Sequence, residues 1–183
     1  ASSNIAMNKI TDIDGIYPVY GASGFVQNVD FFHRDTPYIG IVKDGAGVGR
    51  VNVYPAYSSL LGTLQYILPK EGNSINYVAY ALKSLNLASS VTGATIPHIY
   101  FKDYGEIKLP VPPLPEQERI VSELDLISGV IKKKKQQLKE LDSLAQSVFY
   151  EMFGNPVENE KGWDVKKLGE VCVIERGGSP RPI

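Results

Sequence analysis

The region from Glu116 to Phe153 has the hydrophobic spacing of a coiled-coil helix. It contains no proline and one glycine, and Glu116 and Glu118 place negative charge in the first turn, where the helix dipole favours it. The sequence Gly154-Asn155-Pro156 then provides a stop signal. Apolar residues recur in heptads, and nine of the ten positions in this stripe, called the seam below, are apolar: Ile120, Leu124, Ile127, Ile131, Leu138, Leu141, Ala145, Val148 and Met152, with Lys134 at the tenth.

We expect this helix, about 57 Å long, to pair with another long helix. The alternative is an amphipathic helix that lies on its own domain, but such helices have a wider apolar stripe and seldom run this long. Lys134 is unfavourable in a uniform apolar seam, so it marks a place where the pairing opens or selects the register through a carboxylate partner. The other three lysines of Lys132–Lys135 belong to a solvated face.

A proline-rich segment separates this helix from the first part of the chain. Leu109–Pro115 has four prolines in seven residues, which removes backbone donors and favours polyproline II conformation. The segment therefore predicts a stiff hinge that is neither helix nor central strand, and a domain boundary at residue 115.

Residues 1–115 have the pattern of short strands with one helix. A glycine-rich connection over 43–48 joins two β-type runs and predicts a hairpin, and apolar spacing with a plausible Asn start predicts a helix over 76–87. The predicted strands are Tyr38–Val42, Gly49–Tyr54 and Leu64–Leu68, with weaker candidates at Ile99–Phe101 and Glu106–Leu109.

The predicted fold class is therefore α+β, with a mixed, β-rich domain over 1–115 followed by the long helix over 116–153. Residues 154–183 form a third segment, a linker followed by an edge strand that contains Trp163, Val165 and Leu168. This segment is too short to fold alone, so we expect it to complete a neighbouring domain.

Charge and composition narrow the classes of function that the chain could have. The 19 basic and 20 acidic residues give a net charge of −1, without the basic excess that usually marks a nucleic-acid binder. Any DNA contact must therefore be local, or be shared with a basic partner. The sequence contains neither a long apolar run nor a signal-peptide pattern at its N-terminus, which predicts a cytoplasmic protein with no membrane association.

The candidate metal ligands are few. A single cysteine, Cys172, excludes an internal disulfide framework and a thiolate zinc site, and His33 and His98 lie far apart in the chain. Asp103, Glu106 and Lys108 resemble the carboxylate and lysine set of Mg²⁺-dependent nucleases, but they are too close in sequence to lie on successive strands. We expect no metal site and no catalytic site.

The glycine-rich sequence Asp44–Arg50 does not satisfy a nucleotide-binding pattern. It lacks the G-x-G-x-x-G spacing, and a strand rather than a helix follows it. A tight hairpin is the better interpretation. Lys43 and Arg50 flank it and either reach a DNA groove or phosphates or are ordinary surface charges. Polar, glycine-bearing stretches that suit base-edge contacts occur at Tyr20–Gly24, Tyr57–Ser59 and Ser89–Thr95.

Together these features resemble the specificity subunit, HsdS, of type I restriction-modification systems. The resemblance is carried by Tyr17–Gly24, the Lys43–Arg50 hairpin, Gly93–Pro97 and, above all, Leu109–Val121 with its long helix. The last segment follows the family signature I-P-x-P-P-L-x-E-Q-x-x-I at the entry to a coiled-coil helix. The chain departs from the family in order, because the usual opening W-x-x-x-x-L-G-E-V occurs here as Trp163–Val171, after the helix.

The resemblance implies one target recognition domain plus one spacer helix, half of a family member with two of each. In the family the two helices pair antiparallel, and each domain recognises half of a split DNA sequence. The second unit here would be another copy of the chain, which gives a homodimer whose tails are exchanged.

The resemblance further implies a non-catalytic subunit that binds double-stranded DNA and directs methyltransferase (HsdM-type) and restriction (HsdR-type) subunits. S-adenosylmethionine, ATP and Mg²⁺ would belong to those partners, with no cofactor in this chain. The expected base or phosphate contacts are Tyr20, Ser23, Lys43, Arg50, Ser59, Thr92, Thr95 and His98. Two alternatives stay open: a dimerising coiled-coil scaffold without DNA binding, and a small Mg²⁺-dependent nuclease built on Asp103 and Glu106.

Overall fold

A computed structural model describes residues 3–87, 97–173, 175 and 177. The structure is α+β, as predicted. Within the described residues, a short 3-10 helix, Met7–Lys9, precedes six strands and four helices: β1 Tyr17–Gly21, β2 Gly24–Val29, β3 Tyr38–Val42, β4 Val51–Tyr54, β5 Ser59–Leu60, β6 Leu64–Ile67, α1 Ile75–Ser84, α2 Phe101–Tyr104, α3 Leu114–Phe153 and α4 Leu168–Val171.

The strands form two small sheets of three strands each. In the first, β1 lies between its antiparallel neighbour β2 and the parallel strand β5; in the second, β3 lies between β4 and β6, both antiparallel to it. The predicted strands β3, β4 and β6 and the predicted hairpin are confirmed. The β1–β2 hairpin was not predicted, because Tyr20–Gly24 was interpreted as a polar loop.

Strand β3 lies at the centre of the core. All five of its residues are buried, as a central strand covered on both faces requires. Ile39 and Ile41 pack in a cluster with Ala79 and Leu82 of α1, whereas Tyr38 and Val42 belong to a second cluster on the other side. This core positions the β3–β4 turn rigidly, because both strands that enter the turn are fixed by packing.

Helix α1 confirms the predicted helix with a different start. Its N-cap is Ser74, whose side chain accepts a hydrogen bond of 3.4 Å from the backbone N–H of Tyr77. Serine is preferred at this position because its oxygen satisfies a free helix donor. The predicted start at Asn76 is therefore wrong by one or two residues, and the helix ends at Ser84 rather than at Leu87.

The two weaker strand predictions are wrong. Phe101–Tyr104 forms a short helix, and the carboxylate of Asp103 accepts a hydrogen bond of 2.8 Å from the N–H of Tyr100 at its start. Residues 106–109 are irregular. Cap chemistry therefore outweighs the β propensity of the aromatic residues in this segment.

Helix α3 has 40 residues and begins at Leu114, two residues before the predicted start. Proline is tolerated here because the first turn of a helix has no internal partner for its N–H groups. The expectation that 109–115 contains no helix is thus wrong for its last two residues. At the start of the helix, the N–H groups of Glu116 and Gln117 donate to the carbonyl of Pro113 at 2.9 and 3.1 Å.

The helix ends as the sequence predicted, but the segment after it differs. Gly154 adopts a φ of +76°, and its N–H bonds the carbonyl of Tyr150 at 2.8 Å, which is a glycine C-terminal cap. In the single chain, the predicted edge strand is absent from the described residues 154–173, which contain the short helix α4 instead.

The chain divides into two compact units, 1–128 and 129–183, with the division inside α3. None of the helices in the described residues has the length and apolar character that crossing a lipid bilayer requires.

Candidate nucleic-acid interface

The β3–β4 turn depends on three glycines. Gly45, Gly47 and Gly49 have φ values of +82°, +86° and +84°, a region that side chains other than glycine rarely adopt. A methyl group on Gly47 would also collide with the guanidinium of Arg50. The alternating glycine spacing therefore encodes a turn that folds back tightly over an arginine, which supports the hairpin interpretation.

Arg50 joins this turn to the β1–β2 turn. Its Nε donates to the carbonyl of Gly47 at 3.2 Å, and its Nη2 donates to the carbonyls of Ala46 at 3.2 Å and Ala22 at 3.0 Å. These bonds engage Nε and Nη2, although a guanidinium carries five N–H donors. The side chain is exposed, so the outer edge of the guanidinium can donate to an external phosphate or base.

The Arg50 bond places Ser23 beside the same surface. Ser23 follows Ala22 in the β1–β2 turn and is exposed. Two of the predicted contacts that lie far apart in sequence, Ser23 and Arg50, are thus brought together by a hydrogen bond of Arg50 to the adjacent residue.

His98 lies on the other side of the turn. The N–H of Gly45 bonds the carbonyl of Pro97, the N–H of Ile99 bonds the carbonyl of Lys43, each at 2.9 Å, and a β-bridge pairs Asp44 with His98. The half-buried His98 ring lies 4.9 Å from that of Tyr100, edge to face. The structure thus gathers Ser23, Arg50, Lys43 and His98 around one turn, and we call these four residues the turn surface.

Lys43 differs from a free basic residue. Its ammonium forms an ion pair with the carboxylate of the adjacent Asp44, and its side chain is only 19% exposed. This pairing neutralises part of the local positive charge. Arg50 is therefore the more accessible cation of the turn surface.

Tyr20 lies within a row of aromatic rings, between the exposed Phe25, whose ring centroid is 6.3 Å away, and Tyr54. Its ring is 4.9 Å from that of Tyr54, and Tyr54 stacks on the buried Tyr38 with centroids 5.7 Å apart. Burial raises the pKa values of both Tyr38 and Tyr54. Tyr20 is half-buried, so it supports the neighbouring surface and shows only part of its ring.

The remaining predicted contacts are not part of the turn surface. Ser59 is fully buried, and its Oγ accepts a hydrogen bond of 2.9 Å from the N–H of His33. Its hydroxyl therefore makes a contact inside the domain and is not available at the surface. Thr92 and Thr95 lie outside the described residues. The candidate nuclease residue Asp103 is engaged as the cap of α2, and no cluster of three or more potential metal ligands occurs within the part of the chain that the structure describes.

The sequence analysis missed Gln117, the residue that fixes the start of α3. Gln117 is 1% exposed. Its Oε1 accepts from the N–H of Ser74 at 2.9 Å, and its Nε2 donates to the carbonyl of Pro112 at 2.8 Å. Tyr77 adds a bond of 2.9 Å from its hydroxyl to the carbonyl of Pro110. The proline segment is therefore bonded to α1 directly through Tyr77 and indirectly through Gln117, which bonds both Pro112 and the N-cap Ser74. The only sequence signal for Gln117 was the Glu-Gln pair of the family signature.

The helix seam is largely uncovered in a single chain. Buried residues of α3 are confined to Gln117 and Val121 near its start. Ile120 and Leu124 are half-buried, and Ala145 is exposed. The large seam residues beyond them are 42–63% exposed: Ile127, Ile131, Leu138, Leu141, Val148 and Met152. A contiguous apolar stripe of this length marks an interaction surface.

Comparison with known proteins identifies the class. Residues 6–142, which span the β-rich domain and most of α3, match the type I restriction modification DNA specificity domain. The chain therefore belongs to this family, and the predicted resemblance to specificity subunits is confirmed.

Individual relatives agree with this assignment. The chain is 28% identical to the type I restriction enzyme MjaIX specificity subunit of Methanocaldococcus jannaschii, with 62% of this chain and 31% of the relative covered. It is 26% identical to the MjaVIII specificity subunit of the same organism, with 91% and 44% covered. The chain thus spans less than half the length of these relatives.

Two solved structures share the fold. The type I restriction-modification S subunit from M. genitalium has a TM-score of 0.57 at 17% identity, with 89% of this chain and 45% of that chain covered. A chain from a study of complex assembly and conformational transition of the type I R-M system has a TM-score of 0.63 at 19% identity, with 80% and 40% covered. A fold of strands followed by a long helix is therefore common to all three.

Proposed function

We propose that this chain recognises one half of a bipartite DNA sequence as the specificity component of a type I restriction-modification enzyme. The observation that carries the proposal is the family match over 6–142, because it covers both the β-rich domain and the helix that leaves it. Recognition requires no catalysis by this chain. Methylation with S-adenosylmethionine and cleavage with ATP and Mg²⁺ belong to the methyltransferase and restriction subunits.

The turn surface is the part of the domain that we assign to DNA. Arg50 presents an exposed guanidinium, and Ser23 and His98 add a hydroxyl and an imidazole at neighbouring positions. Arginine recognises guanine edges and phosphates through paired donors, and serine hydrogen-bonds to many bases. Because the chain has a net charge of −1, the remaining phosphate neutralisation must come from its partner subunits.

Two copies would complete a bipartite reader. The uncovered seam of α3 suits a second α3, and antiparallel pairing holds the two β-rich domains at opposite ends of the helix pair. The described tail leaves apolar side chains uncovered, with Val165, Leu168, Val171 and Val173 between 62% and 86% exposed. We assign this tail to the domain of the other copy, where strand addition would bury it.

The test is co-expression with a methyltransferase subunit of a type I restriction-modification system that binds this chain, followed by mapping of methylated adenines. The proposal predicts methylation at one symmetric, split sequence. Failure of the purified complex to bind duplex DNA would support the scaffold alternative instead. DNA cleavage by this chain with Mg²⁺ alone would support the nuclease alternative.

A further inference from the structure

The spacing of the seam is the same in both directions along α3. Its ten positions run from Ile120 to Met152 with intervals that alternate between four and three residues. An antiparallel copy therefore matches every position in one register only, with the two-fold axis level with Gln136. The layers of this register are Ile120 with the partner's Met152, Leu124 with the partner's Val148, Ile127 with the partner's Ala145, Ile131 with the partner's Leu141, and Lys134 with the partner's Leu138.

We propose that α3 binds a second copy of this chain in this register, so that the last turns of the partner's helix lie in a groove beside α1. The inference rests on the proposed function, which needs two copies. It goes further because it fixes which residues meet.

The flanking charges favour the same register. Helical side chains lean toward the N-terminus of their own helix, so in an antiparallel pair Lys135 and the partner's Asp142 lean toward each other across the seam. The two-fold axis creates this ion pair twice. Lys135 and Asp142 are both exposed on α3, so no desolvation cost from burial opposes a charge at these positions.

The neighbouring registers bring like charges together. A shift of one heptad in one direction makes Lys135 converge on the partner's Lys135, and a shift in the other direction makes Asp142 converge on the partner's Asp142. Each shift also leaves two seam positions of each copy uncovered. Apolar burial and charge therefore select the same register.

The groove supplies a site for the end of the partner's helix. It has a volume of about 490 Å³ and lies between α1, the proline segment and the start of α3; its lining includes Tyr77, Tyr80, Leu109, Pro110, Ile120 and Leu124. In the proposed register the partner's Val148 and Met152 reach Leu124 and Ile120 in this lining.

Tyr80 lies in the lining of the groove, on the side where the C-terminal end of the partner's α3 would lie. Its hydroxyl donates to Asp125 at 2.6 Å and lies 3.3 Å from the hydroxyl of Ser128. The proposed register brings the partner's Phe149 to Ser128, beside the Tyr80 ring. Phe149 is 47% exposed and Met152 is 60% exposed in the single chain, so both gain burial in the groove.

A charge exchange tests the register. Lys135→Asp and Asp142→Lys should each raise the dimer dissociation constant about tenfold, because each creates two like-charge contacts, and the double exchange should restore the wild-type value. Lys132→Asp is the matched control, since it makes the same charge change away from the seam and should leave the constant within about twofold. Sedimentation equilibrium measures the constants, and circular dichroism verifies that each variant keeps its helix.

Cysteine pairs provide a second readout in a Cys172→Ser background. Ile131→Cys with Leu141→Cys should give a disulfide-linked dimer under mild oxidation, whereas Ile131→Cys with Leu138→Cys should not. A shifted register is indicated if only one charge variant weakens the dimer and the double exchange fails to restore it, and this overturns the inference. Methylation mapping of the same proteins distinguishes the two proposals. A complex that methylates one split sequence but pairs its helices in another register contradicts the proposed register and leaves the proposed function intact.

Discussion

The guanidinium of Arg50 donates a hydrogen bond of 3.0 Å to the backbone carbonyl of Ala22. This bond joins two hairpin turns that belong to different sheets, and it holds an exposed cation beside Ser23. Arg50 therefore orders the turn surface and keeps a positive charge exposed on it, and we propose that this charge contacts DNA.

We predict that Arg50→Ala weakens binding of the target sequence by roughly tenfold or more, since one arginine contact to a base or phosphate contributes about 1–3 kcal/mol. Arg50→Lys should lie between wild type and Arg50→Ala, because it keeps the charge and loses the guanidinium geometry. Fluorescence anisotropy with the complete methyltransferase complex measures the affinity. Lys70→Ala, at an exposed position between β6 and α1, is the control, and an Arg50→Ala affinity equal to that of this control would remove Arg50 from the interface.

Gln117 should be important for stability. Gln117→Leu removes the partners of the Ser74 N–H and the Pro112 carbonyl in a site where the side chain is 1% exposed. Buried polar groups without partners destabilise a protein by about 1–3 kcal/mol each. We expect a loss of unfolding free energy of about 2–3 kcal/mol in urea titrations. Glu118→Leu, at the exposed next position, should change stability little. Equal urea midpoints for both variants would show that the hydrogen bonds of Gln117 do not stabilise the fold.

Alkaline pH should destabilise the β-rich domain through Tyr104. Burial raises its pKa from 10.0 to about 12, and its hydroxyl donates to Gln65 at 2.6 Å. The unfolded chain releases this proton first, so the stabilisation is complete below pH 10 and is lost as the pH rises toward 12. The loss amounts to about 2 kcal/mol.

Tyr104→Phe tests this dependence, because it removes the titrating hydroxyl and should flatten the decline in urea midpoint above pH 10. Tyr54 and Tyr66, whose pKa values burial also raises, keep part of the decline in the variant. A slope identical to that of the wild-type protein would show that Tyr104 titrates normally in the folded state.

The end of α3 should fray when its cap is removed. The ammonium of Lys161 donates to the carbonyls of Glu151 and Met152, and the indole N–H of Trp163 donates to the carbonyl of Phe153 at 3.1 Å. A cation at a helix C-terminus contributes about 0.3–1 kcal/mol. Lys161→Ala should therefore raise amide exchange in the last two turns by a few-fold. Lys166→Ala, which changes a residue beyond the cap, should leave these amide-exchange rates unchanged. Equal exchange rates in the two variants would contradict the capping role of Lys161.

Local patterns predicted the elements that local chemistry determines. The alternating Gly45, Gly47 and Gly49 predicted a tight turn because glycine alone adopts positive φ easily. The heptads predicted α3 because its period is set by a seam rather than by contacts with the domain. Helix α1 followed from apolar spacing, with an error only at its ends.

Features that depend on contacts distant in sequence were not predictable. Strand β1 contains Pro18, which normally argues against a strand, but β5 pairs only with Val19 and Tyr20. Ser59 was predicted as a DNA contact because it lies in a polar stretch, yet strand pairing buries it. The bond from Arg50 to Ala22 and the bond between Gln117 and Ser74 likewise join segments that the chain brings together only when folded.

The central claim is that the paired α3 helices set the distance between two DNA half-sites, and a one-heptad insertion tests it most directly. Seven residues placed after Gln136 with the seam phase retained lengthen α3 by about 10.5 Å, the length of about three base pairs. Mapping of methylated adenines should then show both half-sites unchanged and the gap between them longer by about three base pairs. An unchanged gap, or loss of the half-site sequences themselves, would contradict the account.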